Sequence, residues 1–95
     1  MRILWTPQAE LDRLTIFQHL AAENIDAAIS IDERFAEAIA RLTDFPRSGR
    51  PGLIEGTREL IPHRSYRIVY EIAQNAVWIL ALVHTSRQWP PEVEE

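Results

Sequence analysis

The chain of 95 residues contains no cysteine and no lysine. Without cysteine there can be no disulfide framework, no thiolate nucleophile and no thiolate metal ligand. Without lysine there is no amine that could serve as a tuned general base, and all ten cationic side chains are arginines. Because arginine stays protonated and favours bidentate contacts with carboxylate or phosphate groups, these absences favour ionic recognition over thiol or amine chemistry.

Long apolar runs are also missing, and none approaches the roughly 20 residues that cross a bilayer. The apolar start Ile3–Trp5 is too short for a signal peptide. We therefore expect a cytoplasmic protein without a membrane partner. The length fits a single domain, which we place at residues 1–91, and we expect the acidic residues 92–95 to form a frayed tail.

Sequence signals for cofactors are absent as well. The three glycines do not form a phosphate-binding loop that opens a helix, which argues against a nucleotide cofactor. The three histidines, His19, His63 and His84, lack the spacing of metal ligands. We predict neither a cofactor nor a metal site.

The net charge of −4 is unevenly distributed along the chain. Residues 1–45 carry four arginines against eight acids, whereas residues 46–91 carry six arginines against three acids. Three further glutamates lie in residues 92–95. The basic second half would attract an anionic ligand or an acidic partner segment in spite of the net charge.

Two helices are predicted in the first half of the chain. Thr6 suits an N-cap and Pro7 suits the first helical position, so the first helix should run to about Glu23. Asn24 breaks the pattern and caps a second helix, which Phe45-Pro46 should end. The short connection predicts an antiparallel helical hairpin. Its expected core-facing residues are Leu11, Leu14, Phe17, Leu20 and Ala21 in the first helix, and Ala28, Ile31, Phe35, Ala38, Leu42 and Phe45 in the second.

The second half predicts a sheet. Residues 46–56 form a loop that holds all three glycines. A short strand at Arg2–Trp5 completes the order β-α-α-β-β-β, which predicts an α+β fold with the helical hairpin packed on one face of a small, mostly antiparallel twisted sheet. The last three strands are expected at Thr57–Ile61, Arg64–Ile72 and Ala76–His84.

The turn between the last two strands fixes their expected pairing. A two-residue turn at Gln74-Asn75 places Arg67 opposite Leu82. Arg67 and His84 then share the sheet face away from the helices, whereas a slip by one residue would separate them. Arg67 could form a structural ion pair with Glu71 on its own strand, or it could contact an anion.

The end of the last strand carries the candidate chemistry. A neutral His84 beside Arg67 could act as a general base next to a phosphate clamp, and Arg87 would add positive charge at the same end. His84 is equally compatible with a hydrogen-bonded structural histidine. Trp89 could pack the terminal segment onto the domain, or it could stack on a base.

Five segments stand out together by their order and spacing, namely WTPQAELD at 5–12, FPRSGRPG at 45–52, GTREL at 56–60, YRIVYE at 66–71 and HTSRQWP at 84–90. Over nearly its whole length the chain resembles the RelE/ParE superfamily of small toxins from bacterial type II toxin–antitoxin modules. The fold of that superfamily agrees with the element order predicted above.

The resemblance implies one of two activities. RelE-like members cleave mRNA in the ribosomal A site without a metal, and the residues that would carry this role here are Arg67, His84 and Arg87. ParE-like members inhibit DNA gyrase instead. The acidic composition, the missing lysines, the long helical hairpin and the His-x-x-Arg-x-Trp-Pro ending favour the ParE-like branch. A non-toxic binding domain is the remaining alternative.

In both branches the resemblance implies an antitoxin partner whose C-terminal segment wraps the toxin. An acidic antitoxin segment would pair with arginines of the second half, namely Arg58, Arg64, Arg67 and Arg87. Candidate apolar anchors are residues that are surplus to one core stripe, and ordinary core positions are the alternative for each of them. These are Leu14, Phe17, Ile25, Ile29 and Leu53.

Overall fold

The computed structural model describes residues 1–91. Its five-stranded sheet has the order β1-β5-β4-β3-β2, in which only the β1–β5 pair is parallel. The predicted α+β fold is confirmed, and the structure adds the two-residue strand β2 inside the loop that precedes β3. No helix within residues 1–91 is long and apolar enough to cross a lipid bilayer. The elements are β1 (Arg2–Trp5), α1 (Pro7–Glu23), α2 (Ile25–Arg41), β2 (Arg50–Pro51), β3 (Thr57–His63), β4 (Tyr66–Ala73) and β5 (Ala76–His84).

Capping residues define the helical hairpin as predicted. The Thr6 hydroxyl accepts the Ala9 N–H at 3.1 Å and begins α1. Asn24 serves both helices, because its N–H donates to the Leu20 carbonyl at 2.8 Å while its side-chain oxygen accepts the Ala27 N–H at 3.1 Å. One residue therefore ends α1 and begins α2, and the two helices pack against each other as a hairpin.

The second helix ends earlier than predicted. It stops at Arg41, and residues 42–45 continue as turns held by hydrogen bonds such as Phe45 N–H to the Arg41 carbonyl at 2.9 Å. Phe45 is therefore exposed rather than part of the core stripe. The rest of the stripe is confirmed, with Phe35 and Leu42 fully buried and the Phe35 ring edge-on to Tyr66 at 5.7 Å between centroids.

The first helix turns a different face to the core than its sequence predicts. Leu11 and Leu14 are 56% and 52% exposed, whereas Ala9 is fully buried and Ile16 and Leu20 pack against the core. The prediction is right for Leu20 but wrong for Leu11 and Leu14. The first helix carries apolar residues on both sides, so helical periodicity alone does not choose between them. Contacts of Thr6 and Asp12 with β5 decide which side of α1 faces the core.

The hairpin of β4 and β5 contains an irregularity that decides the site geometry. Gln74 and Asn75 have φ angles of 54° and 58°, as a two-residue type I′ turn requires, so the predicted turn is confirmed. The predicted register holds from this turn to the pair Tyr70–Ile79. Leu80 is then left without a partner, and beyond this bulge Arg67 pairs with Val83 instead of Leu82.

The strand before this hairpin is longer than predicted. Strand β3 continues past Pro62 to His63, with an irregularity between Leu60 and His63. This irregularity accommodates the proline, which cannot donate a ladder hydrogen bond. The extension brings His63 opposite Tyr66 on β4.

Candidate interaction site

The bulge at Leu80 is held by the start of α1. The Thr6 hydroxyl donates to the carbonyls of Ile79 and Leu80 at 3.1 and 3.2 Å. The Asp12 carboxylate accepts the backbone N–H of Leu82 at 3.1 Å. These contacts satisfy backbone groups that the irregular ladder leaves without a strand partner, and they fix the rotation of α1 against β5.

The bulge places His84 and Arg67 on opposite faces of the sheet. His84 pairs with Tyr66 and lies on the helix face, the face that also carries Ile68 and Tyr70. Its ring meets the Tyr66 ring at 5.4 Å between centroids. Arg67 lies on the other face, here called the far face. The prediction that the two residues share a face is therefore wrong, although the turn on which it rested is correct.

Arg67 is engaged within the protein. Its Nη1 lies 3.4 Å from Glu59 Oε2, and its Nη2 donates to the Arg87 carbonyl at 2.7 Å. Arg50 contacts the other oxygen of Glu59 at 3.2 Å. The side chains of Glu59 and Arg67 are only 5% and 16% exposed. The expected ion pair of Arg67 with Glu71 is therefore wrong, and the true partner comes from the neighbouring strand.

The other arginines proposed for anion binding divide into two kinds. Arg58 donates from Nη1 to the carbonyls of Arg47 and Gly49 at 3.1 and 2.8 Å, so it stabilises the loop before β3. Arg64 and Arg87 are exposed, and no ion pair involves either of them within residues 1–91. Of the four arginines proposed to contact the antitoxin, Arg64 and Arg87 are therefore the two that remain accessible for a partner in the described part of the chain.

A cleft of about 550 Å³ opens between α1 and the end of β5. Tyr66 forms part of its wall, and burial raises the pKa of this tyrosine. The His84 Nδ1 atom lies 2.7 Å from the Ser86 hydroxyl and accepts the Ser86 N–H at 3.1 Å. The cleft thus combines an apolar wall with polar groups, among them His19, His84 and Arg87.

The helical hairpin carries an ion pair between its two helices, with a shallow depression beside it. Arg13 makes a bidentate contact with Asp32, at 2.7 Å from Nε and 2.9 Å from Nη2, and its guanidinium lies 5.3 Å from the centre of the Trp5 ring. The hydrogen bond to Asp32 raises the pKa of Arg13. Beside this pair, Leu14 and Phe17 line a depression of about 400 Å³.

Most of the apolar anchors proposed from the sequence are accessible. Leu14, Ile25, Ile29 and Leu53 are exposed, and Phe17 is half-buried. Sequence reasoning missed Leu11, which is exposed on the same helix as Leu14. It also missed the structural roles of Asp12 and Glu59. Asp12 contacts a strand 70 residues away, Glu59 contacts arginines eight and nine residues away, and neither acid belongs to a local motif.

Comparisons with known proteins agree with this architecture. Residues 3–89 match the model of the family described as the ParE toxin of the type II toxin–antitoxin system, parDE. The toxin candidate Y4kP of Sinorhizobium fredii (strain NBRC 101917 / NGR234) is 41% identical over 91 residues, which cover 94% of this chain and 93% of that protein.

Solved structures share the fold at low sequence identity. The chromosomal ParDE toxin–antitoxin system from P. aeruginosa matches with a TM-score of 0.78 and 22% identity, over 88% of this chain and 95% of that one. A YoeB/ParE toxin from Agrobacterium tumefaciens matches with a TM-score of 0.64 and 14% identity, over 88% and 98% of the two chains. With the family match over almost the entire described chain, these findings show that the protein belongs to the ParE toxin family of type II toxin–antitoxin systems.

Proposed function

We propose that this toxin inhibits DNA gyrase by binding it and carries out no chemistry of its own. The observation that supports the proposal is the separation of Arg67 and His84 onto opposite sheet faces. A nuclease centre built on these two residues and Arg87 would need all three side chains around one scissile phosphate. Their arrangement does not favour such a centre.

The contacts of Arg67 also argue against a nuclease centre. A guanidinium that stabilises transition-state charge must face the substrate with its N–H groups available. The Nη atoms of Arg67 instead contact buried Glu59 and the Arg87 carbonyl. Binding a phosphate there would require breaking a buried ion pair, which is costly because it leaves the partner carboxylate uncompensated.

We further propose that the toxin works in the cytoplasm and is neutralised by a cognate antitoxin at the exposed side of the helical hairpin. Leu11 and Leu14 on α1 and Ile25 and Ile29 on α2 offer the apolar contact area. Isolated exposed apolar residues are ordinary, but several on one hairpin of a small domain indicate an interface. Arg64 and Arg87 are available for acidic residues of the same partner, whereas Arg58 and Arg67 act as internal contacts.

A supercoiling assay with gyrase, relaxed plasmid and the purified chain tests the proposed target. We expect loss of supercoiling and accumulation of gyrase-cleaved DNA. Primer extension on an mRNA translated in the presence of the same protein is the companion measurement. Ribosome-dependent cleavage that is lost in both Arg67→Ala and His84→Ala, together with unaffected gyrase, would overturn the proposal in favour of an endonuclease.

A further inference from the structure

Three rings form a row across the end of the sheet on the helix face. His63 pairs with Tyr66 across β3 and β4, and Tyr66 pairs with His84 across β4 and β5. The ring centroids are 6.2 Å apart for the first pair and 5.4 Å for the second. Tyr66 is buried against Phe35, so the two histidines flank it as the accessible ends of the row.

The same kind of local hydrogen bond orients both His63 and His84. Each is followed two residues later by a serine whose backbone N–H donates to the histidine Nδ1, at 3.0 Å for Ser65 to His63 and 3.1 Å for Ser86 to His84. An Nδ1 atom that accepts this bond leaves the proton of the neutral ring on Nε2. Both imidazoles therefore carry an Nε2–H donor that these contacts leave available.

Arginines accompany both ends of the row. Arg64 follows His63 in the chain, and Arg87 lines the cleft with His84. Burial, with Arg34 and then Arg64 nearby, lowers the pKa of His63. The acid in the cleft wall is Asp12, whose two oxygens accept hydrogen bonds from Gln8 Nε2 at 2.7 Å and from Leu82 N–H at 3.1 Å. The carboxylate is thus occupied while the cations remain accessible.

The spacing of the two histidines defines the size of a ligand that could contact both. They are separated by two strand spacings, about 10 Å, which is more than a single phosphate or carboxylate group can bridge. The ligand must therefore be extended and carry at least two anionic groups. The exposed imidazole rings of His19 and His84, in a cleft with an apolar wall, provide surfaces on which a base can stack.

We propose that the row His63–Tyr66–His84, together with Arg64 and Arg87, binds the phosphodiester backbone of single-stranded nucleic acid, with a base placed in the cleft beside His84. The acidic residues of the helical hairpin disfavour binding of a polyanion to that part of the surface. This site lies apart from the exposed apolar residues of the helical hairpin, although it shares Arg64 and Arg87 with the proposed antitoxin contacts, so a bound antitoxin would compete with nucleic acid for these two arginines. It does not depend on gyrase being the target.

Fluorescence anisotropy with a labelled oligothymidylate of about ten nucleotides tests the proposal on the purified full chain. We expect saturable binding whose log K falls linearly with log salt concentration between about 50 and 200 mM. Arg64→Gln and Arg87→Gln should each reduce the magnitude of this slope by about 0.7, the value for one phosphate contact with a single strand. Arg41→Gln, at an exposed position at the end of α2, is the charge-matched control and should leave the slope unchanged.

Two substitutions at His84 separate hydrogen bonding from packing. His84→Gln keeps an N–H donor near the position of Nε2 but removes the ring, whereas His84→Ala removes both, so we expect the alanine variant to weaken binding by about tenfold and the glutamine variant by less. Thermal unfolding of both variants controls for damage to the fold. No anisotropy change at the lowest salt concentration would overturn the proposal. An equal effect of Arg41→Gln, or equally effective displacement by a polyglutamate peptide of the same charge, would overturn it as well, and the peptide result would assign the site to an acidic protein segment.

Discussion

Arg67 on β4 donates a 2.7 Å hydrogen bond to the backbone carbonyl of Arg87, in the segment that follows β5. The same guanidinium contacts Glu59, so one side chain joins the far face of the sheet to the segment that carries Trp89. Mid-strand Arg67 thus acts as a structural link between β3, β4 and the segment after β5.

We expect Arg67→Met to lower the free energy of unfolding by about 2–3 kcal/mol, because the substitution leaves the buried Glu59 carboxylate with one partner fewer. Urea unfolding of the variant is the measurement. Glu59→Gln in the Arg67→Met background should recover part of the loss, since the uncompensated charge is then removed. A fully stable Arg67→Met variant would contradict the structural role.

Asp12 gives a second prediction. Asp12→Ala removes the acceptor for the Leu82 N–H at the bulge and should destabilise the fold by about 1–3 kcal/mol. Asp12→Asn keeps an acceptor oxygen and should cost less. Hydrogen exchange of the Leu82 amide provides a direct check, because it should accelerate in the alanine variant more than the global stability loss explains. Parent-like stability and Leu82 exchange in Asp12→Ala would show that the contact is dispensable.

The exposed side of the helical hairpin predicts separable effects on binding and stability. Leu14→Glu and Ile29→Glu should weaken antitoxin binding by at least tenfold while changing stability by no more than about 0.5 kcal/mol, as expected for exposed sites. Ala40→Glu, at an exposed position near the end of α2 about three helical turns from Ile29, is the control. Binding by calorimetry and urea unfolding give the two quantities. Unchanged affinity in both variants would place the antitoxin elsewhere.

A pH dependence follows from His63, whose pKa lies below its ordinary value of 6.5 in the folded chain because of burial and the nearby arginines. The unfolded chain therefore binds a proton more readily, so stability should fall as the pH drops through about 6.5. Protonation would also remove the Nδ1 acceptor of the Ser65 N–H.

His63→Asn is the matched variant, because an asparagine oxygen can accept the same type of bond without titrating. The slope of unfolding free energy against pH between about 5.5 and 7 should be smaller in this variant than in the parent chain. His19→Asn, at an exposed position on α1, is the control for a histidine-to-asparagine substitution elsewhere in the chain. A parent chain with flat stability over this range would refute the prediction.

Local signals explain why much of the fold could be predicted. The caps at Thr6 and Asn24 and the turn at Gln74-Asn75 depend on residues within a few positions of one another. The apolar character of β5 on both faces matches its place between β1 and β4. These elements follow from the chemistry of short segments, and the structure places them as predicted.

The geometry of the candidate site could not be predicted from the sequence, because it depends on contacts between residues of different elements. The rotation of α1 depends on a bond between Asp12 and Leu82, which are 70 residues apart. The partner of Arg67 is Glu59 on the neighbouring strand, not the nearer Glu71. No periodicity or spacing in a single chain distinguishes these partners from the alternatives.

The unpaired residue at Leu80 also affects how roles can be transferred between related toxins. A strand of the same length that pairs regularly keeps its alternation, so the residue in the alignment column of His84 would point to the opposite side of the sheet. Two chains can therefore share a histidine in the same column while presenting it to different surroundings. Assignments of function across this family need to compare strand parity on each side of position 80, with the Thr6 and Asp12 contacts as the markers of the shifted arrangement.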